Sequence, residues 1–336
     1  MNTSERLSYN NFFSHIYIES EAYGYPLTDK ILSCFADSEI IDIRHYKDVF
    51  DVNGQDCAMQ KKAPSLILAV KHGELIYKGA PVCQSFGNSN FYYTSNILNC
   101  IYNCDYCYLG GMYPSAHIVI FVNIDDIFNS LEELLAKHPV YLCISYDTDL
   151  MAFEGITGLV SRWIEFASLH SDLKLEIRTK SAYTEGFDRW VPSRNVIFAW
   201  TLSPDEISSR FEHRAPGLDL RLNAAYAAVR KGFTLRLCFD PIIYVPGYAG
   251  MYKNMFAKVF DRIPAGDVLD VSIGLFRISS SYMNVMRKRY PCEITAYPYT
   301  NTKGVCSYDE KRSREMLDFA RSELLRYINS DKIYEL

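Results

Sequence analysis

Short apolar runs alternate with amphipathic segments along most of the chain, and each pattern predicts a type of element. From Phe91 onward, strands are predicted at 91–98, 140–145, 173–180, 196–202, 234–245 and 268–276. Helices are predicted at 124–138, 153–170, 218–232, near 249–262 and from about 279. Strands that alternate with helices favour parallel βαβ units. About six units are too few for a complete eightfold barrel, so the α/β pattern predicts an open, partial (β/α)6 barrel of the TIM type.

The first 90 residues predict a small N-terminal α/β lobe ahead of that barrel. Its strands are predicted at 15–20, 40–44 and 65–71, with a helix at 27–36. Turn-forming Gly, Asn and Ser residues at 87–90 mark the boundary. The predicted domains are therefore the lobe at 1–90, the barrel at 91–293, and an irregular segment with a charged helix at 294–336.

Composition and charge narrow the class of protein. Hydrophobic residues make up 49% of the 336 positions and charged residues 22%, which indicates a globular chain. The net charge of −5 argues against nonspecific coating of nucleic acid, because such binding depends on neutralising phosphates, although a local basic groove remains compatible with it. Neither a signal peptide nor an apolar stretch of the roughly 20 residues needed to span a membrane is evident. We therefore expect a soluble, cytoplasmic protein with no membrane partner.

Three of the ten cysteines, Cys100, Cys104 and Cys107, fall within eight positions directly after the strand predicted at 91–98. Three thiolates at this C-x3-C-x2-C spacing can bind three irons of a 4Fe–4S cubane and leave the fourth iron open. S-adenosylmethionine (SAM) can chelate an open iron, and reduction of the cluster then releases a 5′-deoxyadenosyl radical. An aromatic residue before the third cysteine, here Tyr106, is also typical of radical SAM enzymes.

Other uses of these cysteines fit the pattern less well. Structural zinc usually takes four ligands, often as two C-x2-C pairs, and Cys104 and Cys107 form only one such pair. A two-cluster ferredoxin needs further closely spaced cysteines, and none follow. The other seven cysteines are scattered singly, as small buried apolar residues often are. The motif and its βα context predict a radical SAM enzyme.

The sequence resembles the spore photoproduct lyase family of the radical SAM superfamily nearly from end to end. The resemblance is carried by HIYIES (15–20), CDYCYL (104–109), IVIFVNIDDI (118–127), RTK (178–180), FDPIIY (239–244) and KRYP (288–291). Details of these segments resemble the clostridial branch more than the bacillar one. The resemblance implies a DNA-repair lyase that cleaves the ultraviolet photoproduct 5-thyminyl-5,6-dihydrothymine back to two thymines. It also implies damaged DNA as a partner, an electron donor such as flavodoxin or ferredoxin, and a location in the spore interior.

The family's SAM contacts and tyrosines carry over by position. Thr148, Lys180, Thr201 and Asp240 match SAM-contacting positions, the last through its backbone. Lys180 at a strand end can pair with the SAM carboxylate, or it can be a solvated lysine at the barrel rim. Tyr106 and Tyr108 match the family's cluster-side tyrosines. The resemblance favours Tyr108 as a radical relay, while packing around the cluster is an equal alternative for both.

The hydrogen-atom donor departs from the bacillar pattern. If Thr148 and Asp149 align with the family's Ser-Asp, Tyr146 occupies the position of the bacillar donor cysteine. Two other cysteines are candidates: Cys143, three residues earlier, and Cys83 in the Gly-rich segment GAPVCQSFG. We predict Cys83, with Cys143 as the alternative. Both can also be inert buried thiols.

The DNA-binding region is the least defined part of the resemblance. The family opens the duplex with a basic hairpin late in the chain, and the matching segment 294–308 holds only Lys303 as a basic residue. Tyr297 and Tyr299 can stack on bases or pack internally. A radical SAM enzyme acting on another nucleoside, a peptide or a small molecule is the alternative function. A non-enzymatic metal-binding module is the second alternative.

Overall fold

The computed structural model describes residues 12–80 and 83–336, and these residues form three β-sheets. In chain order the strands are β1 His15–Glu19, β2 Glu39–Ile43, β3 Leu66–Ala69, β4 Tyr77–Lys78, β5 Phe91–Tyr93, β6 Ile97–Leu98, β7 Ile118–Phe121, β8 Val140–Cys143, β9 Leu173–Thr179, β10 Val196–Thr201, β11 Thr234–Ile242, β12 Val268–Leu275, β13 Arg277–Ser279, β14 Thr300–Thr302, β15 Val305–Ser307 and β16 Ile333–Glu335. The α-helices span Pro26–Leu32, Lys47–Phe50, Cys57–Lys62, Leu109–Met112, Ile124–Leu135, Glu154–Thr157, Leu159–Leu169, Asp205–Phe211, Leu218–Arg230, Tyr248–Arg262, Ser280–Arg289, Glu293–Ala296 and Glu310–Leu324.

The largest sheet has eight strands in the order β16-β12-β11-β10-β9-β8-β5-β4. Pairing is parallel from β5 to β16, and only β4 at the edge is antiparallel. Strands β8 and β10 are buried at every position, as expected when both faces of a parallel sheet are covered. The predicted mixed α/β class with parallel strands is confirmed. Closure into a partial barrel stays a prediction.

A second sheet of five strands has the order β2-β1-β3-β7-β6. Its strands β1, β2, β3 and β7 pair in parallel, and β6 is antiparallel to β7. Strands from both sides of residue 90 therefore share this sheet. The domain boundaries at residues 90 and 293 stay predictions.

The prediction of one strand over 91–98 is wrong. Its two ends, β5 and β6, belong to different sheets. Buried polar side chains between them fix the chain to separate partners: the Thr94 hydroxyl donates to the Leu75 carbonyl at 2.7 Å, and Asn96 Oδ1 accepts from Trp163 Nε1 at 2.8 Å. These bonds interrupt the ladder and turn the chain from one sheet to the other.

Two further elements differ from the sequence pattern. The helix predicted over 153–170 is broken at Gly158, whose φ of 69° is left-handed. The segment 294–308, predicted to be irregular, forms a short helix and the hairpin β14–β15, which pairs with β13. Lys303 and Gly304 at the hairpin tip have φ values of 50° and 85°, which suit a two-residue turn.

No helix in the described ranges combines the length and apolar composition needed to cross a membrane. The fold instead gathers the carboxyl ends of five neighbouring parallel strands, β8 to β12, on one side of the large sheet. Side chains that follow these strands converge there, as they do in other parallel α/β proteins.

Candidate active site

A cavity of about 820 Å³ opens at the carboxyl ends of β8 to β12. The loop 99–110 forms another part of its wall, and β13 and Leu336 contribute further lining. All the predicted site residues line this cavity except Cys143: Cys83, Cys100, Cys104, Tyr106, Cys107, Tyr108, Thr148, Lys180, Thr201 and Asp240. Residues that are distant in the sequence thus meet at one place.

The cysteine loop is shaped by two asparagines in the left-handed region. Asn99 and Asn103 have φ values of 69° and 51°, a conformation that asparagine tolerates better than most residues. The Asn99 amide donates to the carbonyls of Ser115 and His117, both at 2.8 Å, so the turn out of β6 is fixed. A further turn brings the Cys107 amide to 3.1 Å from the Cys104 carbonyl.

The far side of the loop is held by the end of the helix Asp205–Phe211 and by the residues that follow it. The Asp105 amide donates to the Phe211 carbonyl at 2.9 Å, and an isolated β-bridge joins Cys104 to Glu212. The carboxylate of Asp105 also contacts His213 at 2.7 Å. Cys104 is therefore held in place by contacts to a segment about a hundred residues further along the chain.

Glu212 is the centre of a buried network beside the cysteine loop. Its carboxylate accepts from the Tyr106 hydroxyl and pairs with Arg221, and all three residues are almost completely buried. Ser203 donates to it at 2.9 Å, and Lys180 Nζ lies 3.7 Å away. Burial opposes ionisation of Glu212, but the Lys180 and Arg221 charges lower its pKa to about 2. Glu212 could not be predicted from the sequence, because no local spacing relates it to Tyr106.

Asp149 joins the ends of β8 and β9 and thereby positions Thr148. Its carboxylate accepts from the Thr179 hydroxyl at 2.8 Å and from the Lys180 amide at 2.6 Å. The Lys180 side chain then extends toward the cysteine loop, where Nζ lies 3.9 Å from Cys104 Sγ. Thr148 and Lys180, two of the predicted cofactor contacts, are therefore held in fixed positions relative to the cysteine loop.

The thiols of Cys100, Cys104 and Cys107 are suited to hold an iron–sulfur cluster. Burial raises the pKa of each, that of Cys104 to about 12, so these thiols become thiolates by binding a metal. Across residues 12–80 and 83–336, no three His, Cys, Asp or Glu side chains are grouped tightly enough to hold a single metal ion. A cubane is larger than one ion and takes each thiolate at a different iron. Three thiols on one loop therefore fit three irons of such a cluster.

Unpaired polar atoms in the cavity wall are suited to bind a polar cofactor. Asn103 Oδ1, Ser145 Oγ and Thr148 Oγ1 are buried without a hydrogen-bond partner, and all three residues line the cavity. Because buried polar groups are rarely left unpaired, these atoms indicate that a hydrogen-bonding ligand completes the site. Of these three residues, only Thr148 is a site residue predicted from the sequence.

Thr201 and Asp240 contribute to the same wall from β10 and β11. Thr201 is 6% exposed, and its carbonyl accepts from Arg221 at 3.2 Å. The Asp240 carboxylate pairs with Arg178 at 3.2 Å and accepts from Ser272 at 3.1 Å. Since its side chain is occupied within the protein, the backbone of Asp240 is the part available to a ligand.

The two candidate donor cysteines lie in different environments. Cys83 is half-buried and lines the cavity. Cys143 is 2% exposed, and its thiol donates to Glu176 at 3.6 Å. Burial raises the pKa of Cys143 well above its usual range. Cys143 therefore lies in the interior beside an ionic network that also includes Arg236.

The two cluster-side tyrosines differ in the same way. Tyr106 is 7% exposed and its hydroxyl is committed to Glu212. Tyr108 is 38% exposed, and its hydroxyl donates to the carbonyl of Tyr146 at 2.6 Å on the cavity wall. Tyr106 thus anchors the loop, and Tyr108 is the more accessible phenol.

The predicted DNA-contacting residues lie around the hairpin β14–β15. Lys303 is exposed at its tip. The ring of Tyr299 packs 4.8 Å from that of Tyr297 and 5.4 Å from that of Tyr308, so both candidate tyrosines take part in an aromatic cluster. Arg277 on the adjacent strand β13 lines the cavity. The hairpin therefore borders the cavity through β13.

A parallel α/β sheet with three clustered cysteines at its carboxyl edge defines the chain as an enzyme of the radical SAM class. The profile of the family "Spore photoproduct lyase" matches residues 12–303. The chain belongs to the spore photoproduct lyase family, whose members are radical SAM lyases that reverse the spore photoproduct. The resemblance found in the sequence is confirmed, and the 4Fe–4S cluster and SAM are the cofactors of this family.

Curated relatives match over most of the chain. Spore photoproduct lyase of Geobacillus sp. (strain Y412MC61) is 22% identical over 95% of this chain and 96% of its own. The Clostridium acetobutylicum lyase is 23% identical over 84% of this chain and 83% of its own. Since the Bacillus subtilis lyase is also 23% identical, the clostridial affinity stays a prediction.

Solved structures of spore photoproduct lyase share the fold. A mutant with bound AdoMet and dinucleoside spore photoproduct superimposes with a TM-score of 0.81 at 20% identity, over 97% of this chain and 98% of that one. A second lyase structure, complexed with dinucleoside spore photoproduct, gives a TM-score of 0.79 at 20% identity over the same shares.

Proposed function

We propose that this chain repairs spore photoproduct in DNA by cleaving it back to two thymines with radical SAM chemistry. The observation that carries the proposal is the single cavity that three loop cysteines and three unpaired polar side chains share. A cluster on Cys100, Cys104 and Cys107, with SAM, supplies the 5′-deoxyadenosyl radical that starts the reaction. Relatives whose solved structures hold AdoMet and dinucleoside spore photoproduct support this substrate.

The protein's own groups hold and orient the cofactor. Thr148 and Ser145 would donate hydrogen bonds to it from the segment after β8, and Asn103 would accept one from the cysteine loop. Lys180, held by Glu212 at 3.7 Å, supplies a positive charge for a carboxylate next to Cys104. The largely apolar wall would disfavour bound water next to a carbon radical and so limit its side reactions.

Cys83 is the proposed hydrogen-atom donor. After the methylene bridge breaks, the thymine allyl radical needs a hydrogen atom, and a weak S–H bond supplies it. Cys83 supports this role because it lines the cavity, whereas Cys143 lies behind the wall and donates to Glu176. Tyr108, whose hydroxyl reaches the same wall, is the proposed relay that returns the radical.

The remaining partners follow from this chemistry. The lesion lies in DNA, so we propose that the hairpin β14–β15 and Arg277 contact the damaged strand beside the cavity. Because the cluster is reduced by one electron at a time, flavodoxin or ferredoxin is the proposed electron donor. We also propose the spore interior as the location of the protein, because the proposed substrate forms in spore DNA.

The test of this function is an anaerobic reaction of reconstituted protein with dithionite, SAM and synthetic spore-photoproduct dinucleotide. Chromatography should show conversion to the thymidine dinucleotide, and none when SAM is omitted. Release of 5′-deoxyadenosine without repair would contradict the substrate. Failure to form a 4Fe–4S absorption band or to cleave SAM would contradict the cofactors.

A substitution of Cys83 tests its assignment as the hydrogen-atom donor. Cys83→Ala should cleave SAM at the normal rate but give aberrant thymine products, because the allyl radical then lacks its thiol. Cys34→Ala is the matched control, since Cys34 is also half-buried but lies outside the cavity. Clean repair by Cys83→Ala would remove that residue from the donor role.

A further inference from the structure

A cluster of tyrosine rings leads from the cavity wall to the start of the last helix. Phe276 lines the cavity, and its ring lies 5.1 Å from that of Tyr299. The Tyr299 ring packs 4.8 Å from that of Tyr297, which lies 6.0 Å from the Tyr244 ring. All three tyrosines are half-buried, so part of each residue stays accessible to solvent. These residues therefore form an aromatic path from the cavity to the surface of the protein.

Arg312 lies over the outer end of this aromatic path. The central carbon of its guanidinium is 4.1 Å from the centroid of the Tyr244 ring. The backbone amide of Tyr244 donates to the Tyr308 hydroxyl at 2.8 Å, and the Ser313 hydroxyl donates to the Tyr308 carbonyl at 3.2 Å. Since Tyr308 follows the hairpin and Ser313 lies on the helix Glu310–Leu324, these bonds hold the guanidinium beside the hairpin.

The Arg312 guanidinium lacks a partner for one of its donors. Its Nε atom is buried without a hydrogen-bond acceptor. The two acids that precede it in the chain are engaged elsewhere. The Asp309 carboxylate caps the helix by accepting from the Arg312 backbone amide at 3.0 Å, and Glu310 pairs with Arg314 at 2.6 Å. Because buried donors are rarely left unpaired, and this one belongs to a cation, the missing partner is expected to be an anion.

A backbone phosphate of the damaged strand is the anion that suits this position. The hairpin borders the cavity that would hold the lesion, so a strand that crosses the hairpin passes along the aromatic path. A guanidinium stacked on an aromatic ring still presents its N–H groups to a phosphate. The chain carries a net charge of −5, so its phosphate contacts must come from local groups of this kind.

We propose that Arg312 binds a phosphate of the damaged strand outside the cavity, with Tyr244 and Tyr297 as the aromatic surface beside it. The inference rests on the proposed function and deepens it, because it names a contact to DNA that flanks the lesion. Arg312 lies on the last helix, beyond residues 12–303 that the family profile matches, and it is separate from the hairpin and Arg277. Such a contact positions the strand and takes no part in the chemistry.

Arg312→Gln tests this contact with two substrates of different length. A single-stranded hexanucleotide with a central spore photoproduct carries flanking phosphates, and the spore-photoproduct dinucleotide carries none. Fluorescence anisotropy of the reconstituted protein should show weaker binding of the hexanucleotide by the variant. The slope of log K against log salt concentration should be smaller by about 0.7, which corresponds to one phosphate contact on a single strand. In anaerobic repair assays, its KM for the hexanucleotide should rise several-fold, while kcat/KM for the dinucleotide should equal that of the wild type.

Arg314→Gln is the matched control, because it removes the same charge two residues further along the same helix. Arg314 is exposed, and its guanidinium donates to Glu310 at 2.6 Å. Its salt slope and its KM for the hexanucleotide should equal those of the wild type. An equal change in both variants would overturn the contact, because net charge alone would then explain the effect.

The two substrates distinguish failure of this contact from failure of the proposed function. A wild type that does not repair the dinucleotide overturns the proposed function. If the wild type repairs it and Arg312→Gln binds the hexanucleotide equally well, only the phosphate contact is overturned. An equal loss on both substrates also overturns it, because the substitution then disturbs the cavity itself.

A test with the wild type covers the case in which Arg312→Gln does not fold. Neutral methylphosphonates replace the flanking phosphates of the hexanucleotide, and binding of the two strands is compared over the same range of salt. Equal affinity and equal salt slope for the two strands overturn the contact. Weaker binding of the neutral strand, with a smaller salt slope, supports it.

Discussion

Removing the charge of Glu212 should destabilise the protein and loosen the cysteine loop together. Glu212→Gln keeps the size of the side chain but places an amide against the buried guanidinium of Arg221. Arg221 then has no carboxylate partner, and the Tyr106 hydroxyl loses a charged acceptor. Since the backbone of Glu212 bridges to Cys104, a shift at this residue moves a proposed cluster ligand.

The magnitude follows from the burial of the pair. Both side chains are fully buried, and breaking a buried ion pair by removing one partner costs about 3–5 kcal/mol. An unfolding entropy of about 2.1 cal/mol/K per residue gives about 0.7 kcal/mol/K over the chain. The Tm of Glu212→Gln should therefore fall by about 4–7 °C.

Circular dichroism of the cluster-free protein measures the Tm, and the iron content and electron paramagnetic resonance signal after reconstitution report on the loop. Glu206→Gln is the control, because Glu206 is an exposed residue on the preceding helix. A Tm for Glu212→Gln equal to that of the control would refute the argument that this network stabilises the fold. If the Tm of Glu212→Gln falls as expected but the protein still binds a full cluster, the proposed link between the Glu212 network and the cysteine loop would be refuted.

Three further outcomes are expected. Cys107→Ala should lose both the cluster absorption and SAM cleavage; a variant that still cleaves SAM would contradict the ligand assignment. Burial lowers the pKa of His117 to about 4, so the unfolded state takes up a proton first as the pH falls from 6.5. Stability should drop by about 3 kcal/mol between pH 6.5 and 4. In urea titrations at several pH values, His117→Gln should weaken this dependence of stability on pH. An unchanged dependence would show that other groups cause it. Phe86→Ala removes the ring that packs 3.2 Å from the Arg236 guanidinium and should release the Cys83 segment. Phe86→Ala should therefore give aberrant thymine products with normal SAM cleavage. Phe86→Trp, the control, should repair cleanly. Clean repair by Phe86→Ala would show that the contact is dispensable.

Much of the architecture could be predicted from local patterns. The strands β8 to β12 and most helices of the large sheet follow from apolar periodicity, because a parallel strand buried on both faces must be a continuous apolar run. The C-x3-C-x2-C motif was equally readable, since its three proposed cluster ligands lie close together in the chain. The break of 91–98 between two sheets was not predictable, because the partners of Thr94 and Asn96 lie elsewhere in the chain.

The sequence by itself determined the family, the cysteine motif and the run of parallel strands, because each is carried by short segments whose residues are near one another in the chain. Only the tertiary structure decided which of two similar side chains faces the cavity. It placed Cys83 on the cavity wall and Cys143 behind it, and it committed the Tyr106 hydroxyl to Glu212 while leaving Tyr108 at the wall. Such choices depend on contacts between residues up to about a hundred positions apart, which spacing along the chain does not record.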